Sequence, residues 1–142
     1  MTNRVLLVDD LRTFTVPRAV TTARTSKDAV AILEQARTAG EAFDEVWLDH
    51  DLGDATGTND TVMPVIDWLC EQAINGEQAP VGTLYVHTSN PVGANTMVRA
   101  LTRHGYTARR VNATEHLGVD EALHAQALAR TPELPATTEA PK

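Results

Sequence analysis

Cysteine is almost absent from this 142-residue chain. Cys70 stands alone, which excludes an internal disulfide framework and suits a reducing cytoplasm. Aromatic residues are scarce as well, two each of Phe, Trp and Tyr, so the core has to be built from Val, Leu, Ile and Ala. Positive charge is in deficit: 12 Lys and Arg face 19 Asp and Glu, a formal charge of −7. A protein that coats duplex nucleic acid needs a basic face, and this balance does not supply one, although a local cluster could still hold one phosphate. Long apolar runs are missing too. The run Val5 to Val8 ends in two aspartates and is far too short for a signal peptide or a membrane span. What remains is an average globular composition, 42% apolar and 22% charged. The length fits one domain that buries roughly 70% of its unfolded surface. These features predict a soluble, cytoplasmic, single-domain protein without a membrane partner.

Along the chain, short apolar runs alternate with helical stripes. Arg4 to Val8 reads as a strand buried on both faces, as in a parallel sheet covered by helices. Ala19 to Arg24 is a weaker second strand. Thr25 to Ala39 reads as a helix capped by Thr25 or Ser26 and closed by Gly40. Glu45 to Leu48 is a third strand, Val62 to Ile74 a helix with Pro64 in its first turn, and Val81 to Val86 a fourth strand. Ser89-Asn90-Pro91 starts a helix that runs to about His104, Tyr106 to Val111 is a fifth strand, and Val119 to Arg130 a last helix. Thr131 to Lys142, with three prolines and no periodicity, reads as a disordered tail behind a single domain over 1–130. The alternation predicts a three-layer α/β domain with about five mainly parallel strands. Only about ten residues, Pro17 among them, separate the first two strands. The first crossover helix is therefore expected to be missing or vestigial.

In an open α/β sheet, ligands bind outside the carboxyl ends of the strands. Those ends carry Asp9-Asp10, then Asp49-His50-Asp51, then His87-Thr88-Ser89-Asn90. Each residue has a plain structural reading: an aspartate after a strand caps a helix, and a histidine hydrogen-bonds to the backbone. Together, however, four carboxylates on one edge repel one another unless a cation or protons neutralise them, and Mg²⁺ or Mn²⁺ with oxygen ligands is the simplest neutraliser. Asp9, Asp10, Asp49 and Asp51 are the candidate ligands. His104, His116 and His124 have no partners at metal-ligand spacing and read as surface residues. Arg109 and Arg110 read as a solvated strand end, or one of them as a phosphate contact. Cys70 reads as a small core residue.

The segments VLLVDDLR, Ala23-Arg24-Thr25, Leu48-Asp49-His50-Asp51-Leu52-Gly53 and His87-Thr88-Ser89-Asn90-Pro91-Val92-Gly93 resemble the receiver superfamily of two-component signalling. They are most similar to a divergent branch, the cyclic-phosphate processing receiver-like domains. The resemblance covers roughly residues 4 to 106. It implies a receiver-like, flavodoxin-like fold and a phosphoesterase acting on cyclic phosphate ends in RNA repair or conflict. Two departures from signalling receivers bear on this. The first crossover helix is missing, and the fifth strand ends in Arg109-Arg110-Val111-Asn112 where Lys-Pro is expected. Loss of the lysine that couples an aspartyl phosphate to an output face, with two added histidines, favours hydrolysis over a phospho-switch.

Two functions follow. In the first, the chain is a metal-dependent phosphoesterase acting on a phosphate ester, such as a 2′,3′-cyclic phosphate end of RNA or of a nucleotide. Mg²⁺ on the aspartates polarises the phosphoryl group, His50 and His87 transfer protons, and Asp49 is a candidate nucleophile. Ser89, Asn90 and the helix start at Gly93 bind phosphate oxygens. The partner is then a small phosphorylated ligand or a nucleic-acid end, not an extended duplex. In the second, the chain is a non-catalytic receiver-like phosphoacceptor or protein-interaction module. That function has no need of histidines at the strand ends.

Overall fold

The computed structural model describes residues 3–53, 57–88 and 90–120. Five strands, β1 (Val5–Val8), β3 (Thr21–Ala23), β4 (Phe43–Leu48), β5 (Val81–Val86) and β6 (Thr107–Arg110), form one parallel sheet in the order β3-β1-β4-β5-β6. The chain is thus an α/β protein with the flavodoxin-like strand order. Two further strands, β2 (Arg12–Phe14) and β7 (Leu117–Val119), pair with each other as a separate antiparallel ribbon.

Local sequence accounts for the helices. In α1 (Ser26–Ala39) the Thr25 side chain accepts a hydrogen bond from the Asp28 N–H, and Gly40, at φ 70°, closes the helix in the left-handed region that glycine tolerates. α2 (Met63–Ile74) starts without a side-chain cap, on Pro64 in its first turn. α3 (Pro91–Arg103) is capped by Asn90, whose Oδ1 accepts from Gly93 N–H, with proline at the first position.

All three helices of the described residues pack on one face. There Leu6, Val8, Val46, Leu48, Leu84 and Val86 meet Ala29, Leu33, Val65, Ile66, Leu69, Ala94, Met97 and Leu101 in one core. Successive strand residues alternate faces, so Val5, Leu7 and Trp47 point the other way. They join Leu117, with Phe14, Val20, Tyr85 and Val111 packed around them. The ribbon covers this second face: Phe14 meets Trp47 edge-on at 5.1 Å and Tyr85 stacks on it at 4.6 Å.

The connection from β1 to β3 contains no helix, as its length requires, but it holds β2, which the sequence did not announce. β2 pairs with residues more than a hundred positions away and has no local pattern of its own. One expectation is corrected at the chain's far end. The helix expected from Val119 does not begin there, because Leu117–Val119 is a strand held by the ribbon ladder. The remainder of that expected helix and the expected tail lie outside the described residues, as does Ser89. Among the described residues no helix is long and apolar enough to cross a membrane.

Candidate functional site

β1 and β4 are neighbours with Val8 opposite Leu48, so the residues that follow them, Asp9-Asp10 and Asp49, emerge side by side. Each of Asp9, Asp10 and Asp49 offers a carboxylate oxygen, and these oxygens lie within 4.8 Å of one another. All three residues are buried. Asp9 is fixed by its own loop: its Oδ1 accepts from the N–H groups of Leu11 at 2.9 Å and Arg12 at 2.8 Å. Its Oδ2 is buried, without a hydrogen-bond partner among the described residues. Asp51 stands apart from this group, exposed, with Oδ1 3.0 Å from Nδ1 of His50.

The electrostatics record the crowding. Burial raises the Asp49 carboxyl to about 7, and Asp9 beside it pushes the same way while the Arg12 guanidinium opposes. Burial also raises Asp9, against the two loop hydrogen bonds and Arg12. Arg12 is a member of the site that sequence reasoning passed over. It lies on β2, and its Nη1 is 3.9 Å from Oδ2 of both Asp9 and Asp49. Nothing in the local pattern marks it, because its place depends on the ribbon. A second arginine fixes the loop that carries these groups. Arg24 Nη1 donates to the carbonyls of Asp9 (3.1 Å) and Arg12 (2.7 Å), and its Nη2 pairs with Asp120 at 3.1 Å.

The two histidines have different surroundings. His87 is fully buried, and neither ring nitrogen has a hydrogen-bond partner among the described residues. Its Nδ1 lies 3.8 Å from Asp9 Oδ2, and its ring is 6.1 Å from that of Trp47. Burial, helped by the charges of Arg12 and His116, lowers its pKa to about 3, so the ring is neutral at physiological pH. His50 is part-exposed and leans on the first turn of α3: a Cβ added at Gly93 would stand 2.9 Å from its Cδ2. His116, expected on the surface, is exposed, with its ring 5.2 Å from that of Trp47.

The expected phosphate contacts at the start of α3 are engaged in capping. Asn90 Oδ1 accepts from Gly93 N–H at 3.0 Å, and Asn90 N–H donates to Thr88 Oγ1 at 3.1 Å. The structure therefore brings Asp9, Asp10, Asp49, Arg12 and His87 together on the ribbon-covered side of the strand ends. His50, Asn90 and Gly93 form a second group at the start of α3.

Chemically, the first group is a set of hard oxygen donors with the Arg12 guanidinium beside Asp9 and Asp49, and with Asp9 Oδ2 buried and unpartnered among the described residues. Its donor type and spacing fit a divalent cation. A family model for the cyclic-phosphate processing receiver domain matches residues 4–103. No curated protein matches the chain.

Proposed function

This chain belongs to the cyclic-phosphate processing receiver family, and on that premise we propose that it is a metal-dependent phosphoesterase that opens a 2′,3′-cyclic phosphate at an RNA end or on a nucleotide. The observation that carries the reading is the buried trio Asp9, Asp10 and Asp49, each with an oxygen within 4.8 Å of the others, and with Asp9 Oδ2 buried and without a hydrogen-bond donor among the described residues. Burying carboxylates this close is costly, and the Arg12 guanidinium, 3.9 Å from both Asp9 and Asp49, offsets only part of the charge of those two. Mg²⁺ or Mn²⁺ held there would polarise the phosphoryl group.

The chain's own residues supply the rest. In the hydrolysis, water adds to phosphorus and the bond from phosphorus to one ribose oxygen breaks. One proton leaves the water and one arrives on the departing oxygen, giving a phosphomonoester and a free hydroxyl. His50 suits this proton traffic: Asp51 Oδ1 at 3.0 Å holds Nδ1–H, which leaves Nε2 to accept. His87, neutral and shielded from solvent, packs beside Asp9 with Nδ1 3.8 Å from its Oδ2, while the N–H groups of Leu11 and Arg12 hold that carboxylate in place. Arg12 offers its guanidinium to the phosphate oxygens that approach the trio.

The test is hydrolysis of 2′,3′-cyclic nucleotides by the purified chain with Mg²⁺, with Mn²⁺ and with a chelator. Turnover that requires the metal and falls by roughly 10²–10⁴-fold in His50→Ala is the expected result. Failure to open any cyclic or linear phosphoester, with Asp49 accepting phosphate from a small phosphodonor, overturns the reading in favour of a phosphoacceptor module.

A further inference from the structure

Beside the acidic trio opens a cleft of about 480 Å³, whose polar lining is Arg12, Thr88, Arg110, Asn112 and Thr114. Charge reverses here. The chain carries 19 acidic residues, yet among the described residues none of them lines this cleft, while two guanidiniums do. The volume falls within the ~300–1,000 Å³ typical of small-molecule pockets, and far exceeds what one phosphate group fills.

Arg12 belongs to both places: its guanidinium is within 3.9 Å of Asp9 and Asp49, and its side chain lines the cleft. A ligand seated in the cleft therefore meets the trio at the end formed by Arg12 and Thr88. The other end is prepared for a polar, planar group. Asn112 Oδ1 already accepts from Thr114 N–H at 3.0 Å and Thr114 Oγ1 at 2.8 Å, which holds the turn and leaves the Asn112 amide nitrogen to donate. Arg110, exposed at the end of β6, adds a flat guanidinium able to stack on a base or bind an oxygen.

We propose that this cleft takes one nucleotide, with its phosphate at the Arg12–Thr88 end and its sugar and base along Arg110, Asn112 and Thr114. The proposal rests on the phosphoesterase reading and deepens it, because it names a single terminal nucleotide, not a bare phosphate, as the unit recognised. That unit is common to a free cyclic mononucleotide and to the end of an RNA.

Calorimetric titration of the full chain carrying Asp49→Asn, which keeps the ligand intact, tests this with four probes. They are adenosine 2′,3′-cyclic phosphate, inorganic phosphate, adenosine, and a short oligoribonucleotide with a cyclic-phosphate end. The cyclic nucleotide is expected to bind more tightly than either phosphate or adenosine, and Arg110→Ala to weaken it about tenfold, the size of one charge-assisted contact at a part-exposed site. Asn112→Asp keeps the acceptor for Thr114, so the turn survives, but puts a negative charge in the cleft; it should weaken the nucleotide at least as much.

Equal binding of oligonucleotide and mononucleotide supports recognition of the terminal unit in both settings, and binding of the mononucleotide alone assigns the cleft to free nucleotides. Phosphate binding as tightly as the nucleotide, or unchanged affinity in both variants with melting temperatures preserved, overturns the proposal. The two readings separate cleanly. Wild-type chain that binds the nucleotide with this Arg110 dependence yet never hydrolyses it removes the phosphoesterase and keeps the cleft. Hydrolysis with KM indifferent to Arg110 does the reverse.

Discussion

On its helix-covered face the sheet presents Leu6, Val8, Val46, Leu48, Leu84 and Val86, aliphatic throughout. On the opposite face it presents Val5, Leu7, Trp47 and Tyr85, and past the strand ends Asp9, Asp49 and His87. The first face is closed by three helices and the second, among the described residues, by a ribbon of two three-residue strands. The difference teaches where this chain keeps its stability and where it keeps its chemistry. A helical layer over a sheet buries apolar area evenly. A narrow ribbon leaves the carboxyl ends of β1 and β4 free to hold groups that cost stability. The short connection that displaces the first crossover helix also delivers Arg12 to the carboxylates, which makes one structural economy serve both tasks.

The sharpest way to break that contrast is to remove one side chain from each face and compare melts with Mg²⁺ and with a chelator. Leu84→Ala, in the helix-covered core, should cost about 2–5 kcal/mol through lost burial and a cavity, equally in both buffers. Asp49→Asn should do the opposite in metal-free buffer at pH 8: burial raises this carboxyl to about 7, so its ionised form is a strained presence that the amide relieves. Added Mg²⁺ should raise the melting temperature of the wild type and of Leu84→Ala, because a ligand of the folded state stabilises it by mass action, but not that of Asp49→Asn. A metal-free Asp49→Asn chain less stable than wild type would mean that the trio is satisfied as it stands.

The same contrast decides what the sequence could reveal. The helix-covered face was legible because its signals are local: periodic apolar positions, Thr25 and Asn90 as caps, Gly40 as a stop, and continuous apolar runs for β1 and β5. The acids at the strand ends were legible because strand ends are where such sheets bind ligands. The ribbon was not. β2 and β7 are three residues each and pair across the length of the chain, so Val119 looked like the start of a helix. Arg12 was invisible for the same reason, and so was the part played by Arg24 in holding the carbonyls of Asp9 and Arg12. The burial of His87 was equally hidden. A histidine after a strand looks the same in sequence whether the ribbon covers it or solvent does.

A smaller effect sharpens the division between the two histidines. Gly93 lies in the first turn of α3, and a Cβ there would stand 2.9 Å from His50 Cδ2 and 3.2 Å from the Asn90 amide. Gly93→Ala should favour the helix itself by about 0.5–1 kcal/mol while forcing the His50 ring to shift. A catalytic group moved by a fraction of an ångström to an ångström loses roughly 10–10²-fold in rate, so kcat should fall while the melting temperature holds or rises. Unchanged kcat in a folded Gly93→Ala chain would remove His50 from the proton transfer.

The finest test uses pH, because the ribbon side carries two titrations of opposite sign. In metal-free buffer, Asp49 ionises near its ordinary 3.8 in the unfolded chain but near 7 in the folded one. Between those values the folded state holds the extra proton, so this group's contribution is full below about 3.8 and is lost as pH rises towards 7. His87 runs the other way: its ordinary 6.5 falls to about 3 in the folded state, where burial keeps the ring neutral. The unfolded chain then binds the extra proton, and stability is full above 6.5 and is lost as pH falls. The windows overlap almost entirely, so these two contributions should nearly cancel, and the wild type should keep only the tilt towards acid stability that Asp9, which burial also raises, adds. Each variant exposes the slope its partner hides. Denaturant melts of His87→Gln should show stability rising towards acid, steepened by Asp9, which burial also raises. Those of Asp49→Asn should show stability falling towards acid. Leu84→Ala, on the other face, should lower the whole curve without tilting it. If His87→Gln keeps the wild-type slope, the imidazole is not held neutral beside Asp9, and the ribbon-covered face does not carry the opposing charges that set it apart.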